Sequence, residues 1–197
     1  MPAASMVQRL CRIRAMLPAT ATRRSALTEL RQAARVLDAA RRRCGSPFAM
    51  SSALTAMARA CRSLHDEVNA EGYLDEALRW ARAAGSIDLV VDLLCELCEV
   101  CAALGLATAE EDESPDPAAC ERMRDHAFEA STLANRVADA SWEAKVLMRI
   151  GAVLESCGDR DDAVLLQTRA LRLMSGSLAA GAPDPTLLPS LGRLADS

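Results

Sequence analysis

Aromatic residues are nearly missing from this 197-residue chain, at 3% against 51% apolar residues overall. A core without rings has to be assembled from Ala, Leu, Val, Met and Cys at close range, which favours helix packed on helix. Strand formers are sparse and no stretch alternates cleanly between apolar and polar residues, so no sheet is expected. Long apolar runs are lacking too, and nothing approaches the roughly 18 residues of a membrane span. Lysine is reduced to Lys145 among 23 basic residues, and the formal charge is −4. That mild acidity argues against a general nucleic-acid binder, which normally carries a strongly basic face. There is no glycine-rich phosphate loop, Gly-x-Ser-x-Gly elbow or metal-binding helix motif. His65 and His126 stand beside acids with no nucleophile or cofactor to serve, so no catalytic residue and no cofactor is assigned.

The chain has no acid before Glu29 but carries Arg9, Arg12, Arg14, Arg23 and Arg24 in that stretch. Arginines interrupt every apolar segment there, which argues against a secretory signal, and Met6, Leu10, Ile13 and Leu17 fall at helical spacing instead. The eight cysteines lie within helical patterns rather than loops. A reduced, cytoplasmic chain is expected, with an Arg-rich organelle transit peptide as the alternative.

Gly, Pro, Asn and Asp punctuate the sequence into helices near 4–17, 23–43, 47–69, 73–84, 87–105, 117–138, 140–157 and 160–175. Short connections make neighbours antiparallel, giving four hairpins at about 4–43, 47–84, 87–138 and 140–175 within a domain over 1–176. The 177–197 tail offers a short helix near 186–195 that would cap the array. The insertion AEEDESPDPA at 109–118 packs acids and prolines between two helices and reads as a solvated loop.

Residues 144–175, AKVLMRIGAVLESCGDRDDAVLLQTRALRLMS, resemble a tetratricopeptide repeat. Leu147, Ile150-Gly151 and Leu154 fill the first-helix positions, Gly158-Asp159 the turn, and Ala163, Gln167 and Ala170 the second-helix positions. Weaker copies run upstream. The first uses Leu10, Ile13, Leu17, Ala26, Leu30 and Ala33; the second uses Cys61, Leu64, Val68, Ala77 and Ala84; the third uses Val91, Leu94-Cys95, Cys98, Ala127, Ser131 and Ala134. The resemblance implies a right-handed, all-α solenoid whose small residues let helix backbones approach closely, and whose first helices line one concave groove.

CELCEVC places Cys95, Cys98 and Cys101 at two successive i, i+3 steps. Iron–sulfur runs of this kind normally continue to a fourth Cys and a Pro, and zinc needs a fourth ligand that has no recognised spacing here. On a helix, Cys98 and Cys101 lie inside a broad apolar arc with Cys95 at its edge, so all three are expected to pack as small apolar side chains without metal.

The same segment carries Asp88, Asp92, Glu96 and Glu99 at i, i+4, i+8 and i+11, a single acidic stripe. Like charges at this spacing cost an isolated helix ~0.2–0.5 kcal/mol a pair, so opposite charges are expected nearby. In the tetratricopeptide arrangement the preceding repeat supplies Arg59, Arg62, Asp66 and Asn69 and the following one Lys145, Arg149 and Glu155. Mutual neutralisation of these groups is the plain structural reading. The functional reading is a charged groove that holds a peptide or helix of a partner protein, with neither nucleic acid nor membrane involved. A sensory helical module that binds a small ligand or peptide and regulates another protein is the alternative, and a Cys-ligated metal or thiol protein the third.

Overall fold

The structure, a computed structural model, describes residues 19–42, 45–107 and 116–180. The predicted helix at 4–17, most of the acidic insertion and the predicted capping helix lie outside them. Seven α-helices and no strand occur among the described residues: α1 Ala19–Arg42, α2 Pro47–Ser63, α3 Glu67–Ala84, α4 Ile87–Ala107, α5 Pro117–Ala134, α6 Ala140–Ser156 and α7 Arg160–Ala180.

Short polar side chains start these helices by accepting from amides that have no intrahelical partner. Ser46 Oγ accepts from Ala49 N at 3.3 Å and Pro47 follows it, ready-made for a first turn. Asp116 Oδ1 accepts from Ala118 N at 3.0 Å, again ahead of a proline, and Asp139 Oδ1 accepts from Trp142 N at 3.0 Å.

The helices pair as hairpins α2/α3, α4/α5 and α6/α7, with α1 packed on α2, α3 on α4, and α6 on both α4 and α5. The result is an α-solenoid in two rows. One holds α2, α4 and α6; the other holds α1, α3, α5 and α7. The main core runs through the array from Ala33 and Leu37 to Ile150 and Leu154, and a smaller cluster of Ala144, Leu147, Ala170 and Met174 joins the last two helices.

Two sequence expectations are corrected. The break expected at Asn69 to Gly72 falls instead at Leu64 to Asp66, where His65 takes a left-handed φ of 61° and Asp66 caps α3. Gly72 sits inside α3 with open space where a side chain would be. A helical glycine costs ~1 kcal/mol against alanine, and burial of Ala70, Leu74 and Ala77, each 0% exposed, outweighs it.

The second correction concerns repeat register. Leu54, Ala58, Cys61, Ala70 and Ala77 occupy the buried positions that Leu147, Gly151, Leu154, Ala163 and Ala170 occupy later, at a constant step of 93 residues. Even His65 falls one such step from Gly158, whose φ is 88°. The register read from sequence began one heptad late, and its Val68 is 70% exposed. A seven-residue slip brings almost the same helix face around, so periodicity alone does not separate the two registers.

Candidate functional site

The thiols of α4 settle into the core. Cys95, Cys98 and Cys101 are 0–1% exposed, so Cys95 is not at the edge of the apolar arc but within it. Burial pushes the Cys95 and Cys101 thiols up to about 12 and raises Cys98 as well, which disfavours the thiolate that metal binding requires. Cys98 Sγ donates to the Met123 carbonyl at 3.5 Å, marking the close approach of α4 and α5. That point lies three residues beyond the Cys95 slot read from sequence. In the last hairpin the close point is Gly151, where a Cβ would stand 3.0 Å from Gln167 Cγ and 3.4 Å from the Ala163 carbonyl oxygen. No group of three or more His, Cys, Asp or Glu is arranged to hold a metal among the described residues.

The charged residues of the α2, α4 and α6 row converge. Arg59 of α2 donates to Glu96 Oε1 of α4 from both Nε at 3.0 Å and Nη2 at 2.5 Å. One turn on, Glu99 is held between its two neighbours in the row: Arg62 Nη1 of α2 reaches its Oε2 at 3.0 Å, and Arg149 Nε of α6 reaches its Oε1 at 2.6 Å. Three consecutive hairpins are thereby joined through side chains at one face. The Arg59 side chain is 66% exposed while that of Glu96 is 6% exposed, so the pair joins an open guanidinium to a covered carboxylate.

Asp92 is exposed and has no hydrogen bond or ion pair among the described residues, but Arg149 and Arg59 both attract it; burial of its inner side is the larger influence and raises its pKa. Asp88 lies exposed in the first turn of α4, where the helix N-terminus favours a carboxylate. Lys145 is exposed on α6.

Three of the residues singled out in the sequence stand elsewhere. Asp66 and Asn69 do not belong to the face with Arg59 and Arg62: Asp66 Oδ1 accepts from Asn69 N at 3.3 Å and its Oδ2 from Asn69 Nδ2 at 2.7 Å, forming the cap of α3. Glu155 turns toward its own hairpin, 3.4 Å from Gln167 Nε2. Placing the helix break at Gly72 had put Asp66 and Asn69 in the wrong element.

The sequence reading also missed Glu67, whose Oε2 is buried without a hydrogen bond and 3.8 Å from Arg62 Nε. Two pairs within the other row, Arg122 with Glu71 and Arg82 with Glu129, and one between the rows, Arg169 with Glu143, went unseen as well. Each links residues 26–51 positions apart, and no local pattern signals such pairing.

A shallow cavity of about 240 Å³ lies where the α3–α4 turn meets α5, lined by Arg82, Gly85, Ile87, Val90, Glu129 and Leu133. It falls below the ~300–1,000 Å³ usual for small-molecule sites. No described helix is long and apolar enough to cross a membrane.

No protein-family model matches the sequence, and no curated protein matches it. Among solved structures, the fold is similar to the crystal structure of BtubC (BKLC) from P. vanneervenii, with a TM-score of 0.59 at 16% identity over 79% of this chain and 59% of that one. The likeness is one of fold, and the chain spans under two thirds of that protein.

Proposed function

We propose that the chain is a tetratricopeptide-like interaction module that holds a peptide or helix of a partner protein against the α2, α4 and α6 face. The carrying observation is the continuous charged strip, from Arg59 and Arg62 through Asp92, Glu96 and Glu99 to Arg149, which crosses three successive hairpins. Repeat arrays recognise partners over extended surfaces of this kind rather than in deep pockets. The recurrence of small buried residues at a fixed step supports the repeat reading. The reading assigns no catalytic step and no cofactor to the chain.

Partner capture from the source cell tests it. Charge reversal by Arg149→Glu, or by Asp92→Lys with Glu96→Lys, should release the partner, whereas Arg82→Glu in the opposite row should retain it. Capture should also weaken with added salt, since exposed charges are screened over ~8 Å at physiological ionic strength. Retention by the first two variants and loss by Arg82→Glu would move the binding surface to the α3 and α5 row.

A further inference from the structure

Glu96 is 4% exposed, and its two oxygens are served unequally. Arg59 directs its Nε and Nη2 donors at Oε1, while Oε2 is buried with no hydrogen-bond partner. A buried polar atom left without a partner costs ~1–3 kcal/mol, more when charged, and folded proteins keep few of them. One turn toward the start of α4, Asp92 has no ion pair of its own among the described residues, and the same Arg59 guanidinium attracts it and Glu96 together. Asp88 adds a third carboxylate one turn further. The positive end of the α4 dipole offsets Asp88 but fades within the first turn, before Asp92 and Glu96. The two ends of the strip therefore differ in their hydrogen bonds: Glu99 accepts from two arginines, whereas Glu96 accepts from Arg59 at one oxygen only and Asp92, attracted by Arg149 and Arg59, accepts from neither.

We infer that the Asp92 and Glu96 end of the strip receives a basic side chain of the bound peptide, an arginine or a lysine. The inference rests on the proposed peptide-binding role and adds the chemistry of what is bound. A guanidinium suits the site best, because its planar fork supplies enough donors to serve Glu96 Oε2 and Asp92 at once, whereas an ammonium acts as a point charge. Oε2 is covered in the free chain, so a local side-chain movement admits the incoming group. No group of three metal ligands is present among the described residues, which sets a protein cation ahead of a metal ion as the occupant.

Selection from a random peptide library displayed on phage, panned on the full chain, tests this. Selected peptides should share a basic residue at one position. Replacing it with alanine should weaken binding roughly tenfold, the scale of one charge-assisted hydrogen bond. Against the Asp92→Asn, Glu96→Gln double variant, parent and alanine peptides should bind within about twofold of each other, with folding checked by circular dichroism. If the double variant does not fold, Asp92→Asn alone should at least halve the preference for the basic residue. Peptides that lose binding on Arg149→Glu yet carry no fixed basic residue would overturn this inference and leave the peptide-binding face standing. A basic residue whose contribution survives the double variant would do the same. Peptides indifferent to every one of these substitutions would overturn the binding face and this inference with it.

Discussion

Glu96 in α4 and Glu143 in α6 are two glutamates of nearly equal burial, 4% and 5% exposed, on helices that pack together, and each faces one arginine. They are not equivalent. Arg169 Nη2 donates to Glu143 Oε1 at 2.6 Å and to Asn135 Oδ1 at 2.6 Å, so a single guanidinium closes α5, α6 and α7 onto one another. Glu143 keeps no stranded oxygen among the described residues, whereas Glu96 does. Buried charge by itself does not mark a site. What separates a brace from the proposed receptor is whether the donors at hand reach every acceptor.

Gly151→Leu should disturb the closed side most. The new side chain collides with Gln167 and the α7 backbone, and driving α7 outward carries Arg169 from Glu143. Overpacking and a stranded carboxylate together should cost about 3 kcal/mol or more in denaturant unfolding. A variant that melts like the parent would mean that the helices do not touch at Gly151.

Removing each arginine tests the contrast itself. Arg169→Ala strands Glu143 and should cost about 2 kcal/mol, below the usual 3–5 for a buried pair because the Arg169 side chain is 43% exposed. Arg59→Ala should cost less, about 1 kcal/mol, because Arg59 is more exposed and serves only one of the Glu96 oxygens. Equal losses would erase the difference between brace and receptor.

Asp92→Asn should have the smallest effect and the opposite sign. Burial raises the Asp92 carboxyl in the folded chain, with Arg149 opposing. Its folded value then lies above its unfolded value, so the charged form opposes folding once pH rises through that range, and the penalty is absent where both states are protonated. The variant should gain less than about 1 kcal/mol at neutral pH and nothing below about pH 3, as read from melting temperature across pH.

Much of this architecture was legible in the sequence because glycine, proline and capping residues act locally. Pro47, Pro117 and Gly158 were read as boundaries and stand at them. The α2–α3 break was misplaced because His65 adopts a conformation that glycine usually takes, while the real glycine, Gly72, is tolerated inside a helix. The close point of the third hairpin was missed for another reason. Val91, Leu94, Cys95, Cys98 and Cys101 are all 0–1% exposed, so every register buries its residues equally and only contact with α5 selects Cys98.

The acidic stripe and its basic counterparts Arg59, Arg62 and Arg149 were legible because charge at helical spacing must be answered by charge in space. Their division into a satisfied and an unsatisfied end was not, since it depends on which oxygen each guanidinium reaches.

Helix α4 buries twelve residues, from Val90 to Gly105, distributed nearly all the way round its axis. A helix of that kind keeps only a narrow solvent edge, at Asp88 and Asp92, and the rest of it is covered only when α3, α5 and α6 are all in place. The array cannot then be assembled one hairpin at a time with each step stable. As the chain emerges during synthesis, α4 stays uncovered until residues beyond 140 have followed it, so the middle of the protein is the last to become secure although it is made before the end. Repeat proteins built from self-sufficient units fray from their ends inward, but this one is keyed at its centre and should lose its order all at once.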